Sequence, residues 1–182
     1  MMGIKLHNKH FSLFIDKEKI AKAIQQMAEK MNDELKGQNP IFIPVLNGSF
    51  MFAADLLKQI NIDCEVSFVK LTSYQGTEST GKTTEMIGLG KEIKNRTIVF
   101  LEDIVDTGYT VKQLFEQAST FDPQKVFFAT LLFKPEVYKG TVPIDYTGIE
   151  IPNAFVVGYG LDYNGLGRNL GEIYIEAISS EN

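Results

Sequence analysis

The chain of 182 residues has one cysteine, Cys64, no tryptophan and two histidines, His7 and His10. A single cysteine excludes an internal disulfide, and its apolar surroundings read as core rather than nucleophile. The histidines have neither cysteine nor a carboxylate at ligand spacing, which argues against a zinc site. Basic runs are also missing. Lys and Arg number 18 against 23 Asp and Glu, giving a net charge of -5 and a pI near 5.1. That balance lacks the electrostatic footprint of nucleic-acid binding. Long hydrophobic runs are absent too. The longest nearly apolar stretch, Val126 to Phe133, is far too short to cross a bilayer, and the N-terminus has no apolar signal region. These absences predict a soluble cytoplasmic protein with neither membrane nor nucleic acid as partner.

What is present fits one globular domain over residues 1–182, with 44% hydrophobic and 23% charged residues and length enough for a sizeable core. Asp16 reads as an N-cap. Ile20, Ile24, Met27, Met31 and Leu35 follow at helical spacing, and Gly37 can close that helix. Ile41 to Leu46 reads as a buried strand, although Pro44 calls for a bulge or an edge there. After a turn at Asn47-Gly48-Ser49, Phe52, Ala53, Leu56 and Ile60 describe a second helix. Strands are expected at Cys64 to Leu71, Ile98 to Glu102, Val126 to Phe133 and Phe155 to Gly158. Val111, Leu114, Phe115 and Ala118 mark a helix after the second of these. This alternation predicts an α/β fold with a central, mainly parallel sheet flanked by helices on both faces. The N-terminal residues and about 143–182 would form a small hood. Ser, Thr and Gly dominate Thr72 to Gly90, which has no sustained apolar face. It reads either as a mobile lid or as a plain surface hairpin.

The most informative stretch runs from Thr97 to Thr110. The apolar residues Ile98 to Leu101 lead into two adjacent carboxylates, Glu102 and Asp103. Asp106 follows, then Thr107-Gly108-Tyr109-Thr110 and a helix. Ligands in open α/β sheets bind where parallel strands end. Gly108 lets a ligand approach the backbone, and the helix start directs free N–H groups and a positive dipole end at an anion. Thr107 and Thr110 add hydroxyls. A phosphate cradle beside a pair of acids suits a sugar phosphate, with the acids taking vicinal hydroxyls or a hydrated metal. Other strand ends bring Asn47-Gly48, Lys134 and Tyr159 to Asp162 toward the same rim.

Glu102-Asp103-x-x-Asp106-Thr107-Gly108-x-Thr110 resembles the phosphoribosyl diphosphate binding motif of the type I phosphoribosyltransferases. Val45 to Phe50, Ser73-Tyr74 with Ser79-Thr80-Gly81, Leu131 to Lys134, and Phe155 to Asn164 with Arg168-Asn169-Leu170 extend the match. With these, the chain resembles the hypoxanthine-guanine phosphoribosyltransferases from about residue 10 to 176. The resemblance implies purine salvage: transfer of the 5-phosphoribosyl group from phosphoribosyl diphosphate to hypoxanthine or guanine. It implies that Asp106 to Thr110 hold the 5-phosphate, with Tyr109 in that loop. Glu102 and Asp103 would address the ribose hydroxyls and magnesium. Lys134 would donate to the purine 6-oxo group, a role an ammonium suits because it has no acceptor capacity. Phe155 would stack on the base opposite Ile104, and the backbone of Val156 would meet its edge. Asp162 would lie near the base and a second magnesium. Arg168 would bind pyrophosphate, with Asn47 and Gly48, and Asp106 would accept a proton from the purine. Ser73 and Tyr74 would belong to the lid. Relatives often have lysine where this chain has Asn47, and the family implies a cis peptide at Leu46–Asn47. A homodimer or homotetramer is implied as well.

Two other readings share the fold. An RNA-binding protein would need a basic face that this acidic chain lacks. A non-catalytic nucleotide sensor would have no need of the full set Glu102, Asp103, Asp106 and Lys134.

Overall fold

A computed structural model describes residues 3–72 and 84–177. The chain opens with a hairpin of β1 (Gly3–Leu6) and β2 (Lys9–Ile15), followed by helix α1 (Lys17–Glu34). Asp16 caps α1, its carboxylate accepting from the Lys19 N–H at 2.8 Å and satisfying one of the free donors of the first turn. Ile20, Ile24, Met27 and Met31 form the buried stripe of that helix, as their spacing predicts.

β3 (Ile41–Leu46), α2 (Phe50–Leu57), β4 (Glu65–Val66) and β5 (Val69–Thr72) follow. β3 lies inside the sheet, between β7 and the pair β4 and β5. Its proline is accommodated by a break in the neighbour. β4 pairs with Ile41 and Phe42, β5 with Val45 and Leu46, and Pro44 falls opposite the interruption. The stretch expected as one strand from Cys64 to Leu71 is thus split. Cys64 is partly buried, and burial raises its thiol pKa, which favours the thiol over the nucleophilic thiolate.

β6 (Thr84–Ile87) pairs antiparallel with β5, so segment 72–90 is entered and left through paired strands. Ser73, Tyr74 and the body of the expected lid lie outside the described residues. β7 (Thr97–Val105), α3 (Tyr109–Ser119), β8 (Lys125–Phe133) and β9 (Tyr146–Glu150) complete a sheet of order β6-β5-β3-β7-β8-β9, parallel except at β6. One core packs α1 and α2 against the sheet, and a second packs α3 on the other face. In the second, Phe100 stacks on Phe128 with centroids 5.1 Å apart. Burying a large side chain of this kind contributes about 1.5–3 kcal/mol.

β10 (Val156–Val157) and β11 (Ile173–Glu176) join the N-terminal hairpin in an antiparallel sheet of order β1-β2-β11-β10. This is the hood. β9 belongs to the main sheet, so the chain returns to the hood only after Glu150. The strand expected at Phe155 to Gly158 is short and lies in the hood, so the Tyr159–Asp162 loop reaches the rim from above rather than from a central strand.

Candidate active site

β3, β7 and β8 end on one rim, at Leu46, Val105 and Phe133. β7 keeps its ladder to β8 through Val105–Phe133, but its pairing with β3 stops at Pro44–Leu101. The chain leaves β3 through a cis Leu46–Asn47 peptide, the bond named from the sequence, and turns into α2. Glu102 and Asp103 therefore lie within a strand that has lost its neighbour on one side. The sequence reading ended that strand at Glu102; continued pairing with β8 carries it three residues further.

Glu102 is buried, and its Oε1 has no hydrogen-bond partner among the described residues. Burial, helped by the Asp103 charge, pushes its carboxyl well above the usual carboxylate range. Asp103 is pushed up to about 6, mainly by burial and also by Asp162, against the pull of its own and Ile104's N–H groups and of Arg168. An orphaned, buried carboxylate oxygen is stabilised by a cation or a hydroxyl donor. The pair thus fits a divalent metal or the hydroxyls of a sugar. No cluster of three His, Cys, Asp or Glu side chains is placed to hold a metal among the described residues. Any metal here would complete its shell with substrate oxygens and water, as magnesium does.

The loop from Asp106 to Thr110 borders a cavity of about 320 Å³ that Glu102 and Asp103 also line. Gly108 is the residue before α3, at φ 88°, with no side chain capping the first turn. A Cβ at Gly108 would lie 2.5 Å from the Tyr138 ring, so only glycine fits. Thr107, Tyr109 and Thr110 are exposed around it. The start of α3 leaves N–H groups without a side-chain cap beside this space, a geometry that suits an anion.

Lys134 follows β8 and is buried, with its Nζ donating to Asp106 Oδ2 at 2.8 Å. Ile104 lies partly buried on the rim. The hood supplies Phe155, 42% exposed, and the buried Val156. Arg168 donates to the Gly160 carbonyl at 2.7 Å and pairs with Asp162 at 2.5 Å. The other Asp162 oxygen accepts from the Gly165 N–H, so a metal at Asp162 would compete with both partners. A second cavity, of about 460 Å³, is lined by Asn47, Phe50, Arg168 and Asn169 among others. Asp103 packs against Gly48, where a Cβ would fall 1.8 Å from its Oδ2. Gly160, at φ 100°, packs against the Gly48 carbonyl, 1.9 Å from the position of its absent Cβ. One turn, Asn47-Gly48, is thus gripped by the core acid and by the hood.

Sequence reasoning missed Tyr138 behind Gly108, the Tyr159 hydroxyl donating to Asp55 Oδ2 at 2.5 Å, and Lys9 beside Phe155. None carries a local motif. Only the positive-φ glycines hinted at close approaches.

Parallel strands ending in an acid pair and a helix-start phosphate loop, under an antiparallel hood, define a phosphoribosyl-handling protein. A family model, the phosphoribosyl transferase domain, matches residues 14–164, and the chain belongs to that family. It is 37% identical over 177 residues to the hypoxanthine-guanine phosphoribosyltransferase of Streptococcus pneumoniae, with 97% of each chain covered. It superposes on the hypoxanthine phosphoribosyltransferase of Staphylococcus aureus with a TM-score of 0.84 at 34% identity, covering 91% of both chains. A Trypanosoma cruzi hypoxanthine phosphoribosyl transferase, studied for the role of its C-terminal region in oligomeric state and activity, gives 0.84 at 31% identity, covering 96% of this chain and 95% of that one.

Proposed function

We propose that this chain is a purine-salvage enzyme that transfers the 5-phosphoribosyl group from phosphoribosyl diphosphate to hypoxanthine and guanine. The observation that carries the reading is the contact of 2.8 Å between Lys134 Nζ and Asp106 Oδ2. It joins a buried donor suited to a 6-oxo group to the loop that suits a sugar phosphate.

Asp106 to Thr110 bind the 5-phosphate through the α3 N–H groups and the Thr107 and Thr110 hydroxyls. Glu102 and Asp103 orient the ribose hydroxyls and hold magnesium, with Asp162 as a further metal residue. Bound magnesium supplies charge neutralisation for the pyrophosphate group. Asn47, Gly48 and Arg168 take the pyrophosphate; with asparagine at 47, Arg168 is the cationic side chain of that set. Phe155 and Ile104 sandwich the purine, Val156 meets its edge through the backbone, and Lys134 reads the oxo group. A site built to donate there sets its ammonium against an exocyclic amine, donor against donor, which disfavours adenine. In the reaction a purine nitrogen forms a bond to the anomeric carbon as the bond to pyrophosphate breaks. Pyrophosphate leaves with the electron pair, and the base proton passes to Asp106. Assembly as a homodimer or homotetramer is part of this reading, and sedimentation measures it. No helix among the described residues is long and apolar enough to span a membrane.

The test is product analysis with hypoxanthine, phosphoribosyl diphosphate and magnesium. Equimolar nucleotide and pyrophosphate, lost in Asp106→Asn, is the expected result. A folded wild-type protein that forms no nucleotide overturns the reading.

A further inference from the structure

Phe155 is half-exposed in the loop between β9 and β10, so its ring is positioned by its neighbours rather than by deep burial. Lys9 Nζ lies 5.2 Å from the Phe155 centroid and 5.3 Å from that of Tyr163, and the two rings meet edge-on at 5.7 Å. Phe11 adds a tilted contact at 6.1 Å. Cation and rings thus gather around Phe155 and leave part of its surface open. The ammonium is itself tethered, 2.7 Å from Glu176 Oε1. Glu176 also donates its backbone N–H to the Phe155 carbonyl at 2.9 Å. The Tyr163 hydroxyl donates to Asn8 Oδ1 at 2.8 Å. Glu176 raises the Lys9 pKa by hydrogen bonding, so the side chain is charged at neutral pH.

We propose that Lys9, on the N-terminal hairpin, is a positioning residue for the purine: its ammonium, fixed by Glu176, holds the Phe155 ring with its open face toward the base. This rests on the reading of Phe155 as the purine platform. A cation at a partly exposed ring contributes modestly, so the expected effect is confined to base binding. It couples β2 and β11 to the base pocket without touching substrate.

The test is a kinetic cycle of Lys9→Met, Phe155→Leu and the double variant, with unfolding midpoints confirming that each is folded. Lys9→Met is expected to raise KM for hypoxanthine about two- to fivefold, with kcat and KM for phosphoribosyl diphosphate unchanged. Lys9→Arg restores KM, and Lys9→Met adds nothing once Phe155 is leucine. If Phe155→Leu raises the base KM but Lys9→Met does not, or raises it equally in both backgrounds, the role of Lys9 is overturned. If Phe155→Leu leaves the base KM unchanged, the platform reading itself fails.

Discussion

On the core rim the acid pair and the loop from Asp106 to Thr110 come from one continuous stretch, Thr97 to Thr110, fixed by a strand end and a helix start, with Lys134 added from the end of β8. Around Phe155 they come from Lys9 and Phe11 on β2, Tyr163 in a loop and Glu176 on β11, brought together by an antiparallel sheet. The rim handles charge through buried carboxylates and backbone N–H groups. The hood handles an aromatic surface through edge-on and tilted rings and a tethered cation. Local chain geometry suffices for a phosphate cradle, whereas a stacking platform needs partners from far along the chain.

The largest effect should come from the rim. Asp106→Asn keeps the size of the side chain but removes the proposed proton acceptor, and the rate constant of the chemical step should fall roughly 10²–10⁴-fold in single-turnover measurements. A rise confined to KM, with kcat kept, would instead make Asp106 a binding group. Gly160→Ala asks whether the two regions are independent. The added methyl collides with the Gly48 carbonyl at a left-handed backbone position. A hood substitution should then raise KM for phosphoribosyl diphosphate by roughly 10–100-fold, since a displacement of about 1 Å costs that order. An unchanged KM would separate hood from turn.

Asp103→Asn should trade binding for stability. In the metal-free native protein Asp103 keeps its proton to about pH 6, whereas the unfolded chain releases it near the ordinary value of 3.8. The native state therefore holds more protons in that window. Stability falls as pH rises through it and stays reduced above. Asparagine removes that loss. With chelator present, the variant should melt a few degrees above wild type at pH 7–8, and the gap should close toward pH 4. The smallest effect is expected for Tyr159→Phe, which removes the hydroxyl joining hood to α2 through Asp55. A loss of about 1–2 kcal/mol lowers the unfolding midpoint by roughly 3–6 °C. A shift in KM for either substrate would show that this bond also sets the hood's position.

The same contrast governs what could be read in advance. The parallel sheet, α1 with its Asp16 cap, and the acid–phosphate motif were legible because each is written in neighbouring residues. Strand limits were less so. β7 runs past its acids because β8 continues beside it, and Pro44 sits inside the sheet because β4 and β5 part opposite it. The ion pair of Lys134 with Asp106 and the placement of Lys9 depend on strand order and register, which no local pattern encodes. The hood expected over about 143–182 contains β10, but the turn from Tyr159 to Asp162 was grouped with the parallel strand ends, because two valines say nothing about which sheet they enter.

The most direct measurement is initial-rate kinetics with hypoxanthine and adenine side by side, at saturating phosphoribosyl diphosphate and magnesium. If Lys134 reads the 6-oxo group above the Asp106 loop, hypoxanthine is converted and adenine is poorer by roughly 10⁴-fold. Comparable use of adenine, or conversion of neither base by the folded protein, contradicts the account.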